Sequence, residues 1–184
     1  MAAKVGHPAP DFTLKSTKDA TSSKDLGKQI SLSSYKGKWL IFFFYPLDFT
    51  FVCPTEILAF SDRFDELTDM DADVLGCSTD SVFSHWAWTQ TPREKNGLAG
   101  LRFPLVADYT KQVASAYGVL NEEEGYAQRG LFIIDPDGIL KYATITDDNV
   151  GRSVEETVRV LQALQDGGLC PAEWKPGMPV LAMT

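Results

Sequence analysis

Three cysteines, Cys53, Cys77 and Cys170, carry the most reactive side chains of this sequence, and each sits in a different setting. Only a thiolate attacks an electrophile. A thiol ionises near neutral pH at a helix N-terminus or beside a cation, where its pKa falls from about 8.5 to roughly 3.5–7.5. Cys53, in PLDFTFVCPTE, follows an aromatic run and precedes a segment of helical period. A helix beginning at or just after Cys53, with Pro54 suited to its first position, would aim the N–H groups of Thr55 and Glu56 at the sulfur. The helix dipole contributes only about 0.3–1 kcal/mol there, or about 2 kcal/mol when partly buried, so strong activation also needs a cation. Composition does not say which. Free cysteine is also among the most buried residue types, so position alone leaves Cys53 open between nucleophile and core filler.

Cys77, in VLGCS, lies inside an apolar segment with no nearby charge and reads as core. Cys170 follows Gly167-Gly168 and precedes Pro171 in an exposed tail, where packing gains little and disulfide exchange is favoured. One thiol at a helix start and another on a tail are what oxidation to a sulfenic acid followed by disulfide resolution requires. Cysteine-dependent hydrolysis would instead need a histidine base oriented by a third group. His7 lies in the N-terminal segment and His85 in SHWAW, and both read as structural. There is no CxxC and no zinc-ligand spacing, so no metal is expected.

The elements that must position these residues follow from patterning. Phe12 to Leu14 and Ile30 to Leu32 read as short strands flanking the polar stretch Lys15 to Lys28. WLIFFFYP, Trp39 to Pro46, is apolar throughout and reads as a strand central in the sheet and buried on both faces. Ile57, Phe60, Phe64 and Leu67 recur at spacings of one helical face after Pro54. Strand and helix then alternate: Ala72 to Ser78, Val82 to Thr89, Phe103 to Asp108 and Lys111 to Tyr117, the pattern of an α/β fold. Asp135-Pro136-Asp137-Gly138 is a turn between Leu131 to Ile134 and Ile139 to Ala143, so a hairpin makes the sheet mixed. The last helix opens on the capping-box pair Ser153 and Glu156 and stops at Gly167-Gly168.

Bulk properties exclude several classes. The 184 residues fit one domain with a real core. A formal charge of -8 argues against nucleic acid and anionic membrane as partners. The opening MAAKVGHPAPDF has no apolar signal region, and the apolar run Trp39 to Tyr45 is far shorter than the roughly 20 residues that span a bilayer. Three widely spaced cysteines suit a reducing compartment, so a cytoplasmic location is expected.

Six stretches are recognisable together: APDF (9–12), YPLDFTFVCPTE (45–56), SHWAW (84–88), RGLFIIDPDG (129–138), VGRSVEET (150–157) and CPAEWKPG (170–177). On them the chain resembles the typical 2-Cys peroxiredoxins, the group that includes the alkyl hydroperoxide reductase C subunit. The resemblance implies a thioredoxin-like α/β fold, with a mixed central sheet flanked by helices, an N-terminal hairpin extension and an irregular tail. It implies a peroxidase domain over 1–168 and a tail over 169–184. Cys53 becomes the peroxidatic cysteine, Thr50 a hydrogen-bond partner of thiolate and peroxide, Pro46 a shield, and Arg129 the missing cation. Glu56 orients Arg129, Trp88 packs near the site, and Cys170 resolves the sulfenic acid of a partner subunit in a homodimer, often within a decamer. No cofactor is implied, and thioredoxin or a flavoprotein disulfide reductase would return the disulfide to thiols. Gly97-Leu98-Ala99-Gly100 stands where overoxidation-sensitive members have GGLG, and no Tyr-Phe helix follows the tail. Resistance to sulfinic-acid formation is therefore expected. A redox-regulated holdase is the alternative activity; a thioredoxin-type disulfide reductase lacks its CxxC.

Overall fold

Leu14 and Ile30 turn inward from two short strands, Thr13–Ser16 (β1) and Lys28–Ser31 (β2), which pair antiparallel as the N-terminal hairpin. The computed structural model describes residues 3–182. Trp39–Phe44 (β3) follows, buried at every position after the first. The chain then forms Cys53–Asp62 (α1), Phe64–Asp69 (α2), Ala72–Ser78 (β4), Val82–Gln90 (α3), Leu105–Ala107 (β5) and Gln112–Ala116 (α4). A small hairpin, Leu120–Asn121 (β6) with Tyr126–Ala127 (β7), precedes the long pair Arg129–Ile134 (β8) and Leu140–Thr146 (β9). Val154–Asp166 (α5) and the tail complete the described chain.

The main sheet has seven strands in the order β2-β1-β5-β4-β3-β8-β9. β3 is interior, although the central strand is β4; it runs parallel to β4 and antiparallel to β8. Two neighbours and two covered faces explain why WLIFFF shows no alternation. On one face Phe42 stacks on Phe12 at 4.7 Å and packs with Phe44, Tyr117 and Phe132. On the other, Phe43 stacks on Phe60 of α1 at 5.1 Å. Helix α2 packs on β4 and α3 on β5.

The single helix expected after Pro54 is two. Arg63, at φ -103 and ψ 16, ends α1, and its guanidinium turns to the Glu66 carboxylate at 2.7 and 2.9 Å. Beyond the break Leu67 stays buried, while Phe64 faces Phe103 and lies under the Arg102 guanidinium. The DPDG turn forms as read: Asp135 Oδ1 accepts from the N–H groups of Asp137 and Ile139.

Compact units divide between Arg152 and Ser153. The sheet and α1–α4 belong to the first. In the second, the Ser153 hydroxyl accepts from the Glu156 N–H, and Gly167 ends α5 at φ 73, a left-handed conformation that glycine adopts without strain. The Glu156 carboxylate is engaged by Arg159. The tail is irregular yet pinned: Leu169 bridges to Leu181, Trp174 is buried, and Arg159 donates to the Trp174 carbonyl at 3.0 Å. Among the described residues no helix is long and apolar enough to cross a membrane.

Candidate active site

Strand register brings the distant parts of the site together. Partners in the β3–β8 pair run from Leu40 opposite Ile134 to Phe43 opposite Leu131. Two further steps set Arg129 against Tyr45, where the chain leaves β3 on its way to Cys53. Side chains alternate along a strand, so Arg129 shares the face of Phe43, the face that α1 covers. The start of α1 and the start of β8 thus converge. Arg129 Nη1 donates to Cys53 Sγ across 3.4 Å, with the two residues 3% and 0% exposed.

Other groups fix the aim of that guanidinium. Nη1 also donates to Glu56 Oε2 at 2.6 Å, and Nε donates to the Asp148 carbonyl at 2.8 Å. Glu56 is buried, three residues beyond Cys53 in α1. Its other oxygen accepts from the backbone N–H and the Nε of Arg152, at 2.7 and 2.8 Å. Arg152 Nη1 donates in turn to the carbonyls of Phe44 and Gly130, at 2.8 and 2.6 Å, and its guanidinium lies 5.3 Å over the Phe43 ring. Two guanidiniums therefore share one carboxylate. The cluster keeps one net positive charge beside the sulfur, and negative charge arising on Sγ neutralises it.

The N–H groups of Thr55 and Glu56, expected to face the sulfur, are taken by the Val52 carbonyl at 3.1 and 3.4 Å. Val52 precedes α1 with helical φ and ψ of -80 and -38, which turns its carbonyl inward; Cys53 opens the helix and Pro54 is second. The positive group that donates to the sulfur is the Arg129 guanidinium.

Loop 45–52 leads into Cys53 and is tied from one side. Asp48 is buried; its carboxylate accepts from the Tyr45 hydroxyl at 2.9 Å and contacts His85 Nδ1 at 2.8 Å. His85 Nε2 faces the Val106 carbonyl at 3.1 Å, so the ring is fully engaged and structural. Asp80 accepts from the Asp48 N–H, and burial with Asp48 beside it pushes the Asp80 carboxyl upward. Pro46 is buried. The Thr50 hydroxyl donates to the Leu47 carbonyl at 2.9 Å rather than to the sulfur. Trp88 is buried, with its ring 5.9 Å from Tyr45 and 5.8 Å from Phe49.

The other two thiols are in unlike surroundings. Cys77 is buried among Phe44, Val106 and Tyr117; burial first, then the Asp108 carboxylate, push its thiol well above the ordinary value. Asp108 is a charge that sequence proximity did not reveal. Cys170, expected to be exposed, is half-buried: its thiol donates to the Ala163 carbonyl at 3.7 Å, and desolvation with Asp166 nearby raises it. Iodoacetamide added to the folded, reduced protein should therefore label Cys77 only as fast as the protein globally unfolds. Labelling of Cys77 as rapid as that of Cys170 would contradict this. Among the described residues no group of three or more His, Cys, Asp or Glu side chains could hold a metal ion.

The same sheet and helices occur in the reduced crystal structure of a 2-Cys peroxiredoxin from Plasmodium vivax, at a TM-score of 0.90 and 35% identity, covering 96% of this chain and 91% of that one. Fold and site together define a thioredoxin-fold thiol peroxidase. Sequence comparison narrows the class: the model of the AhpC/TSA family matches residues 5–143. The thioredoxin peroxidase of Trypanosoma brucei rhodesiense is 53% identical over 179 residues, covering 95% of this chain and 88% of the relative. Peroxiredoxin-1 of Gallus gallus is 53% identical over 177 residues, covering 94% and 87%. The chain belongs to the AhpC/TSA family and is a peroxiredoxin.

Sequence reasoning missed Arg152, although VGRSVEET contains it. An arginine beside a serine cap reads as solvated, and nothing local shows that its guanidinium returns to a carboxylate 96 residues earlier. Asp148 was missed because it holds Arg129 through its backbone carbonyl, a group every residue has.

Proposed function

We propose that this enzyme reduces hydrogen peroxide and small organic hydroperoxides at Cys53. The observation that carries the reading is the buried Arg129 guanidinium 3.4 Å from Cys53 Sγ, held there by Glu56. The Cys53 thiolate attacks the terminal oxygen of ROOH; an S–O bond forms as the O–O bond breaks. The cysteine leaves as sulfenic acid, and the alkoxide takes a proton to become ROH. Negative charge spreads over both oxygens in the transition state, and Arg129 donates into it without reorganising. Thr50 lies three residues before Cys53, with a hydroxyl to offer the peroxide once it releases the Leu47 carbonyl. Buried Pro46 limits water around the sulfenic acid, Glu56 orients Arg129, and Trp88 backs the loop.

Cys170 of a partner subunit then attacks the sulfenic acid, forming an intersubunit disulfide and releasing water. Thioredoxin is the proposed reductant, supported by the name of the trypanosomal relative, with a flavoprotein disulfide reductase as the other donor class. We assign the peroxidase domain to 1–168 and the resolving tail to 169–184, in a cytoplasmic homodimer that assembles further into a decamer. The exposed aromatics Phe51, Phe83 and Tyr109 are candidates for that association.

Non-reducing electrophoresis after peroxide treatment tests the cycle. The wild-type chain should give a disulfide-linked dimer, absent from both Cys53→Ser and Cys170→Ser. An oxidised species that stays monomeric, or a dimer that persists in Cys53→Ser, would contradict it.

A further inference from the structure

The loop that follows β9 is exposed, yet its backbone reaches the buried ionic cluster. Asp147, Asn149 and Val150 face solvent. Between them the Asp148 carbonyl accepts from Arg129 Nε at 2.8 Å, and just beyond them the Arg152 N–H donates to Glu56 Oε1 at 2.7 Å. Within the loop the Val150 N–H donates to the Asp147 carbonyl at 3.0 Å, and the Asp148 N–H donates to Asp147 Oδ1 at 2.7 Å. These two bonds shape the loop without reaching another element.

The Asp148 side chain does reach one. Its Oδ2 accepts from the Tyr126 hydroxyl at 2.7 Å, while Oδ1 is buried with no hydrogen-bond partner among the described residues. Without that hydroxyl neither oxygen would have a partner here, and a half-buried carboxylate in that condition turns toward water. Tyr126 is firmly seated. It lies in β7 opposite Asn121 of β6, in a tight hairpin. The Gly125 N–H donates to the Asn121 carbonyl at 2.7 Å, Asn121 Oδ1 accepts from the N–H groups of Glu123 and Glu124, and the Gln128 N–H donates to the Val119 carbonyl at 2.7 Å. The bond to Asp148 first, then desolvation, raise the Tyr126 hydroxyl above its ordinary value, so it remains a donor at neutral pH. One residue thus links hydroxyl and guanidinium: the side chain of Asp148 takes the tyrosine, and its carbonyl takes the arginine.

We propose that Tyr126 is a positioning residue for the Cys53 reaction, holding Asp148 so that its carbonyl keeps the Arg129 guanidinium aimed at the sulfur. The inference rests on the peroxidase reading given above. Arg129 is a planar fork held at two points: Glu56 takes Nη1, the atom that also donates to Cys53, and the Asp148 carbonyl takes Nε. Two points fix the orientation of a plane in a way that one does not. With the Asp148 carbonyl displaced, the guanidinium pivots about its bond to Glu56, and Nη1 leaves its line to Sγ. A donor that must reorganise before it can serve stabilises the transition state less than one already in place. Loss of Tyr126 therefore costs part of what Arg129 supplies, and it costs nothing once Arg129 is gone. General damage to the site would slow the reaction with or without Arg129.

Variants of the full-length protein test this, with the first oxidation by hydrogen peroxide followed by stopped-flow fluorescence. Tyr126→Phe keeps the ring and removes only the donor. It should lower the second-order rate constant about three- to ten-fold, the effect of one net hydrogen bond. In the Arg129→Ala background the same substitution should change the rate by less than about two-fold, because the group it acts through is missing. Asp148→Ala should also slow the reaction, and Tyr126→Phe added to it should bring no further loss beyond about two-fold. Tyr126→Phe at the wild-type rate, an equal slowing with and without Arg129, or losses that multiply in the Tyr126 and Asp148 pair would each overturn the proposal. A wild-type chain whose Cys53 does not react with hydrogen peroxide would instead overturn the peroxidase reading and the inference with it.

Discussion

Arg129→Ala is expected to slow the reaction of Cys53 with hydrogen peroxide by about 10²–10³ in second-order rate constant, the usual cost of removing one preorganised donor from a transition state. Charge counting says the fold should survive. Without Arg129, Glu56 still pairs with Arg152, so one cation and one carboxylate remain in balance. Arg129→Lys keeps the charge but loses the planar fork that reaches Cys53, Glu56 and the Asp148 carbonyl together, and should recover only part of the rate. Stopped-flow fluorescence with hydrogen peroxide measures both. A rate for Arg129→Ala within about three-fold of wild type would remove the guanidinium from the transition state.

Glu56→Ala acts on the same cluster with the opposite balance. It leaves the guanidiniums of Arg129 and Arg152 buried together with no carboxylate between them, each only 3% exposed. Breaking a buried pair by removing one partner costs about 3–5 kcal/mol. Glu56→Ala should lose stability of that order, read as a lowered denaturant midpoint with unchanged slope. It should also lose peroxidase activity, because Arg129 is no longer aimed. A midpoint like the wild type's would mean that the two guanidiniums are compensated elsewhere. The exposed bidentate pair of Arg102 with Asp65 offers the contrast: solvent and salt screen it, and its removal should pass unnoticed.

What could be read from the chain, and what could not, follows from the range of each signal. The strand Ala72–Ser78 forms with the bounds its apolar run suggests, and the DPDG turn closes the β8–β9 hairpin, because burial and turn chemistry act over a few residues. Helix α1 starts beside Cys53 as patterning implies, but its end does not: the spacing of Ile57, Phe60, Phe64 and Leu67 continues through Arg63, where the backbone breaks. Periodicity records which side chains prefer burial and is silent on the dihedrals between them.

The site shows the same limit. Locally Cys53 reads equally as nucleophile or core filler, and its cation does not show at all, since Arg129 is 76 residues away and reaches the sulfur through the β3–β8 register. The motif resemblance supplied Arg129 and Glu56. It did not supply Arg152, whose partners include the carbonyls of Phe44 and Gly130. Contacts to backbone oxygens leave no trace in residue type, so only the folded geometry shows them.

That Cys53 is the residue which takes the peroxide oxygen is tested most directly by trapping. Reduced protein is mixed with one equivalent of hydrogen peroxide in the presence of dimedone, which reacts with sulfenic acids, and the adduct is located by peptide mass spectrometry. The adduct should form on Cys53 alone, and it should vanish from Cys53→Ser together with peroxide consumption. An adduct on Cys77 or Cys170 with Cys53 unmodified, or a Cys53→Ser variant that consumes peroxide at the wild-type rate, would contradict the assignment.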